Sequence, residues 1–243
     1  MDKIKSKLPL ILFFVGLLVV GLGLFFVLRK PKDVEEEDTS SLIEVLAADR
    51  PVTTLTPTDD GHWLNLLIDK INIDAESVDY ELLYQLPDGR TQGVPGTVTL
   101  DGSKIERELL LGSESSGKFR YDEGVEEGTL TLRFRNKKGK LLVKFSTDFI
   151  LLSGTKKLVS TDNNFKFTLS SSSNEYFVVM ETFGYPGEAP ATVKAGPYGV
   201  FSSSTKALSG TPDLGSGTLY RWTGSKWNKV SKSSDTGIFI TTE

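Results

Sequence analysis

Thr129-Leu130-Thr131-Leu132-Arg133-Phe134-Arg135 leads into Asn136-Lys137-Lys138-Gly139-Lys140, and Leu141-Leu142-Val143-Lys144-Phe145 follows. Leu130, Leu132 and Phe134 alternate with Thr and Arg; Leu141, Val143 and Phe145 resume the alternation beyond the turn. A period of two sends neighbouring side chains to opposite faces of a strand. The stretch therefore predicts an antiparallel hairpin with one face in a core and one in water. Upstream, Val78, Tyr80, Leu82, Tyr84 and Leu86 keep the same period until Pro87-Asp88-Gly89-Arg90 turns the chain. Downstream, 165–169, 176–180 and 199–201 read as strands. Leu219-Tyr220-Arg221-Trp222 and Trp227-Asn228-Lys229-Val230 flank a Gly-Ser turn, which places Trp222 opposite Trp227. No apolar stripe at helical spacing persists for three turns in this part of the chain. The fold class expected here is all-β.

Composition changes near Leu151-Leu152-Ser153-Gly154-Thr155. Residues 39–153 hold 19 acids and 13 bases, whereas 154–243 hold 7 acids, 9 bases and 26 Ser and Thr. Two stretches of about 100 residues, rich in short strands and Gly/Pro turns, predict two β-sandwich domains, 49–153 and 154–243. A single larger sandwich is the alternative.

Tyr121-Asp122-Glu123-Gly124, followed by Gly128 to Phe134 and the Lys-Gly turn, resembles the last hairpin of immunoglobulin-like and fibronectin-type-III-like modules of bacterial membrane-anchored surface proteins. The closing run Leu219 to Trp227, with Asp235-Thr236-Gly237-Ile238-Phe239 after it, is similar to the end of β-sandwich domains in secreted proteins. The resemblance covers about a quarter of the chain and lacks a Cys pair. It implies Ig-like sandwiches that bind, adhere or space, and it brings no active site with it.

The other end of the 243-residue chain has a different character. Residues 8–28 contain no charge and are rich in Leu, Val, Ile and Phe. As a helix they span about 31 Å, the hydrocarbon thickness of a bilayer. The run ends Phe25-Phe26-Val27-Leu28-Arg29-Lys30, with no small-residue cleavage site, so an uncleaved signal anchor is expected and not a removed signal peptide. Lys3, Lys5 and Lys7 face Arg29, Lys30 and Lys32 across it. The free N-terminal amine tips residues 1–7 towards the cytoplasm and the remainder to the extracytoplasmic side of the cell membrane. Residues 29–48 read as an acidic linker, since five of the six residues 33–38 are acids; 41–46 fits either a short helix or a first strand. With no C-terminal apolar tail and no Cys, neither a cleaved C-terminal anchor nor a lipid-modified Cys is expected.

Cysteine is absent and His62 is the single histidine. Thiol nucleophiles, disulfides and Cys/His zinc sites are thereby excluded, and a Ser-His-Asp triad has only His62 to use. Gly112-Ser113-Glu114-Ser115-Ser116-Gly117-Lys118 has phosphate-loop spacing, but Phe119 replaces the metal-binding Ser/Thr and a strand, not a helix, follows. Asp235-Thr236-Gly237 is the aspartic-protease tripeptide with only six residues after it, and reads as a turn. Asp59, Asp60 and His62, with Asp69 or Asp74, lack the spacing of a calcium loop. Glu106 with Glu108, and Asp122, Glu123, Glu126 and Glu127, are the carboxylate pairs open to glycosidic chemistry, though acid runs between strands are usually solvated loops.

Tyr185 in Gly184-Tyr185-Pro186-Gly187 and Tyr198 in Gly196-Pro197-Tyr198-Gly199 sit in turn-like sequence, where an aromatic face serves as an anchor for a sugar or a protein. The alternative is that each ring folds over the edge of its own sandwich. These tyrosines are the candidate binding residues; no catalytic, cofactor or metal residue is assigned. The expected function is that of a single-pass envelope protein displaying β-sandwich modules for binding, adhesion or assembly, and not an enzyme. Its expected partners are the membrane, through 8–28, and an extracytoplasmic protein or polysaccharide, with no nucleic acid. The alternatives are a membrane-anchored glycan hydrolase using Asp/Glu pairs, and a scaffold subunit of an envelope complex.

Overall fold

The computed structural model describes residues 42–243. The expected tail 1–7, the span 8–28 and linker residues 29–41 lie outside the described residues. Among the described residues there is no helix long and apolar enough to cross a membrane. All regular structure there is β, as the alternation requires. The first half contributes β1 (Val52–Pro57), β2 (Trp63–Asp69), β3 (Ser77–Gln85), β4 (Thr91–Thr99), β5 (Ile105–Leu110), β6 (Gly112–Ser115), β7 (Lys118–Tyr121), β8 (Glu127–Arg135) and β9 (Leu141–Ser153). The second contributes β10 (Lys157–Val159), β11 (Lys166–Leu169), β12 (Tyr176–Glu181), β13 (Val193–Ser202), β14 (Ser209–Asp213), β15 (Thr218–Trp222), β16 (Trp227–Lys229), β17 (Ser234–Asp235) and β18 (Ile238–Thr242).

Nine strands form one antiparallel sheet in the order β16-β15-β18-β13-β12-β9-β8-β3-β4. The expected hairpin is its β8–β9 pair, and Trp222 faces Trp227 in register, their rings meeting edge to face at 5.3 Å. Strands on either side of Ser153 belong to the same sheet, because β9 pairs with β12 from Tyr176↔Ser153 to Met180↔Phe149. Two smaller sheets, β1-β2-β5 and β10-β11-β14-β17, cover it.

Side-chain alternation assigns each cover to a different face. Val178 and Met180 of β12 join Leu66, Leu132 and Phe149 in a first core, beneath β1-β2-β5. Phe177 and Val179, on the other face of the same strand, join Phe167, Val200 and Phe239 in a second core, beneath β10-β11-β14-β17. The first core draws mainly on residues before Ser153 and the second on residues after it.

The end of the linker is bonded to this body. Residues 42–46 are neither helix nor strand; the Ile43 N–H donates to Leu142 O (2.9 Å) and a turn follows at 47–49. Arg50 Nε and Lys70 Nζ donate to the carbonyls of Val45 (3.0 Å) and Ala48 (2.7 Å).

Because β12 serves both cores, Phe177→Ala and Met180→Ala should each cost roughly 2–5 kcal/mol and lower the midpoint of a single shared unfolding transition. Chemical denaturation followed by fluorescence checks this, and two separated transitions would mean that the cores unfold independently.

Candidate binding trough on the large sheet

The second cover ends at the turn between β10 and β11, while the large sheet continues beyond it as a bare shelf. The step between them is a trough. Its floor is one lateral row of the sheet. Leu83 lies opposite Thr129, Thr129 opposite Asp148, and Glu181 opposite Tyr198. One position beyond the Met180↔Phe149 pair brings Glu181 beside Asp148 and closes the row. Two cavities of about 320 Å³ each lie along it and share Asp148 and Thr161; a third of the same volume meets the first at Ser146 and Glu181. Gly128 lines the second cavity with its backbone, and the first core behind it leaves no room for a larger residue. A Cβ there would stand 2.3 Å from Leu83 O and 2.6 Å from the buried Phe149 ring.

The wall is fixed by Asp162. Its Oδ1 accepts from Ser160 Oγ (2.6 Å) and the Asn164 N–H (3.1 Å), and its Oδ2 from Asn164 Nδ2 (2.7 Å) and the Tyr198 hydroxyl. Burial works against ionisation of Asp162. The Ser160 and Tyr198 hydroxyls and the Asn164 donors outweigh it, leaving the carboxyl below its ordinary range. Tyr198 responds oppositely: burial first, and then the carboxylate it donates to, push its hydroxyl well above the usual range.

Glu181 is the contrasting acid. It accepts no hydrogen bond and makes no ion pair among the described residues. Partial burial and then the charge of Asp162 raise its pKa, with Arg50 opposing. One cavity thus holds two carboxylates displaced in opposite directions. Thr129 Oγ1 donates to Asp148 Oδ1 (2.7 Å), and that exposed side chain lines both cavities.

The two tyrosines fare differently. Tyr185 is in the loop between β12 and β13, as its Gly and Pro neighbours predict, and is half-buried. Burial raises its pKa, Arg50 lowers it and Glu181 raises it, so its hydroxyl feels the charges at one end of the trough without lining the cavities above. Tyr198 stands in β13, 8% exposed, and not in a turn. A bulge between Ala195 and Tyr198 absorbs Gly196-Pro197 within the strand. The Tyr198 ring stacks on Phe165 at 5.5 Å in the second core, and its hydroxyl donates to Asp162 in the trough wall.

The remaining motifs have ordinary places. The Gly112–Lys118 run is the β6–β7 hairpin, with Lys118 opening a strand. Asp235 sits in the two-residue β17. Among the described residues no group of three or more His, Asp or Glu is arranged to hold a metal. Glu106 pairs with Lys104 at 2.6 Å, and Asp122 accepts from Tyr84 at 2.9 Å.

Sequence reasoning overlooked Asp148, Asp162 and Glu181, and also an aromatic pile on the β6–β7 hairpin. His62 stacks on Tyr121 at 4.1 Å, Phe119 lies parallel to Tyr121 at 6.3 Å, and Trp63 meets Phe119 edge to face at 5.6 Å. An isolated two-stranded hairpin is marginal in water, and these rings bind it to the head of β2. The one available signal was the period-two placement of Phe119 and Tyr121.

Set against known proteins, the chain matches no family model, no curated protein and no solved structure.

The pKa of Glu181 gives a pH test. An acid raised by folding destabilises the folded state where it is ionised. Below the ordinary glutamate range both folded and unfolded forms are protonated and the penalty vanishes. Glu181→Gln should therefore raise the melting temperature at pH 7 and leave it unchanged near pH 3, as thermal melts at the two values would record.

Proposed function

We propose that this chain is a single-pass envelope protein that displays its β part outside the cell membrane and engages a partner through the trough. The observation that carries the binding reading is the pair of adjoining cavities over a largely polar row of the large sheet, with a third cavity meeting the first at its end. The anchored half rests on the uncharged run 8–28 and its flanking bases. In this reading 49–153 and 154–243 are two Ig-like lobes, each supplying most of one core, and the partner is an extracytoplasmic protein or polysaccharide. Protease added to intact cells expressing the full chain should remove the β part and leave a membrane-embedded N-terminal fragment. Survival of the whole chain would reverse the orientation.

A second reading, a membrane-anchored glycan hydrolase, is favoured by one observation: Glu181 and Asp162 line one cavity with their ionisation driven apart. A carboxyl whose pKa is raised suits proton delivery to a leaving oxygen, while a neighbour whose pKa is lowered assists water or the developing positive charge. In that case reducing ends accumulate when the full chain is incubated with a glycan, and Glu181→Gln lowers their release at least a hundredfold, roughly the lower limit for a general acid. Release unchanged by that substitution would remove the hydrolase reading.

A further inference from the structure

We infer that the ligand of the trough is an uncharged, hydroxyl-rich polymer, a neutral glycan, laid across the strands from Leu83 to Tyr198. The inference rests on the binding reading above and names the ligand for that site. Shape comes first. Four strand spacings separate β3 from β13, about 19 Å, and the cavities along this row run into one another. An extended chain fits such a floor, and a compact molecule would fill one cavity only.

Charge narrows the class. Asp148, Asp162, Glu181 and Glu127 line the two cavities over the row, and among the described residues no Lys or Arg does; Arg50 and Lys144 stand only in the third. A polyanion is repelled along most of the path. Hydrogen bonding narrows it again. Among the described residues neither Glu181 nor the second oxygen of Asp148 accepts a hydrogen bond, so both exposed carboxylates are free to take donors from a ligand. An ammonium group has donors, yet it offers no acceptor to the Thr161 and Thr91 hydroxyls that share the same walls. A sugar hydroxyl both donates and accepts, and so satisfies carboxylate and hydroxyl side chains together.

The test is affinity electrophoresis of the full chain in detergent, in gels carrying dextran, xylan or laminarin as neutral glycans and polygalacturonate as the polyanion. Binding to poly-lysine is measured alongside. At least one neutral glycan should retard the wild-type protein, and polygalacturonate should not. Asp148→Ala should weaken the retardation more than tenfold. Thr161→Val, on an exposed turn that leaves the sheet untouched, should weaken it several-fold, while Glu106→Gln on β5 should leave it unchanged. Retardation by no neutral glycan, or retardation indifferent to both trough substitutions, would overturn the inference. If poly-lysine binding responds to Asp148→Ala while the glycans do not bind, the trough remains a binding site and only its ligand class is wrong. If no probe responds to either substitution, the binding reading falls as well.

Discussion

The double burial of β12 is the constraint on which the rest of the structure depends. Phe177, Val178, Val179 and Met180 are consecutive and all almost wholly inaccessible. A strand apolar on both faces must be covered twice, and each such side chain returned to water costs roughly 1.5–3 kcal/mol. The two covers answer to opposite faces: β1-β2-β5 to Val178 and Met180, β10-β11-β14-β17 to Phe177 and Val179. Among the described residues, ladders to β9 on one side and β13 on the other make β12 the bridge between the two halves of the large sheet. Removing it would divide both the ladder and the reason for each cover.

Covers on opposite faces leave bare shelves, and a bare shelf must be polar. Arg133 pairs with Glu81 at 3.0 Å and Arg135 with Asp79 at 2.5 Å on the open side of β3 and β8. Thr131 meets Ser146 at 3.1 Å farther along. Cross-strand pairs of this kind contribute only tenths of a kcal/mol to about 1 kcal/mol each. Their main consequence is that water, and therefore a polar ligand, can occupy the shelf. The trough exists where this wet surface meets the wall of the second cover, so it is a product of the way the cores are arranged and not of a special loop.

Alternation made the local strands legible: β3, β8, β9 and the β15–β16 hairpin follow from residues spaced by two. Pairing between β9 and β12 is non-local and has no local mark. One mark of its consequence was present, since Phe177-Val178-Val179-Met180 is an unbroken apolar run, as a doubly covered strand requires. β4 was hidden by Gly93, Pro95 and Gly96, residues that ordinarily end a strand. At the sheet edge Pro95 loses no ladder bond, and Gly96 makes room for the Tyr80 ring, 2.2 Å from where a Cβ would stand. The Pro and Gly around Tyr198 suggested a turn for the same reason, because a bulge and a turn share their residues. Asp148, Asp162 and Glu181 are far apart in sequence, and only the lateral register of the sheet and the β10–β11 turn unite them.

Tyr198 shows why the site and the cores are one object. Its ring is clamped among Phe165 and its neighbours, while its hydroxyl is one of four donors that hold Asp162. The position of the trough wall is thus dictated from inside the second core, and a floor made of strand residues keeps its spacing better than loops would. Glu181 sits on that floor between Asp148 and the Tyr198–Asp162 pair, a placement that like charges disfavour. Arg50 offsets part of the cost, and its guanidinium is itself held 5.9 Å over the Phe145 ring of the first core. One core positions the acids and the other the countercharge, so β12, which carries Glu181 at its end, is also where the two influences meet.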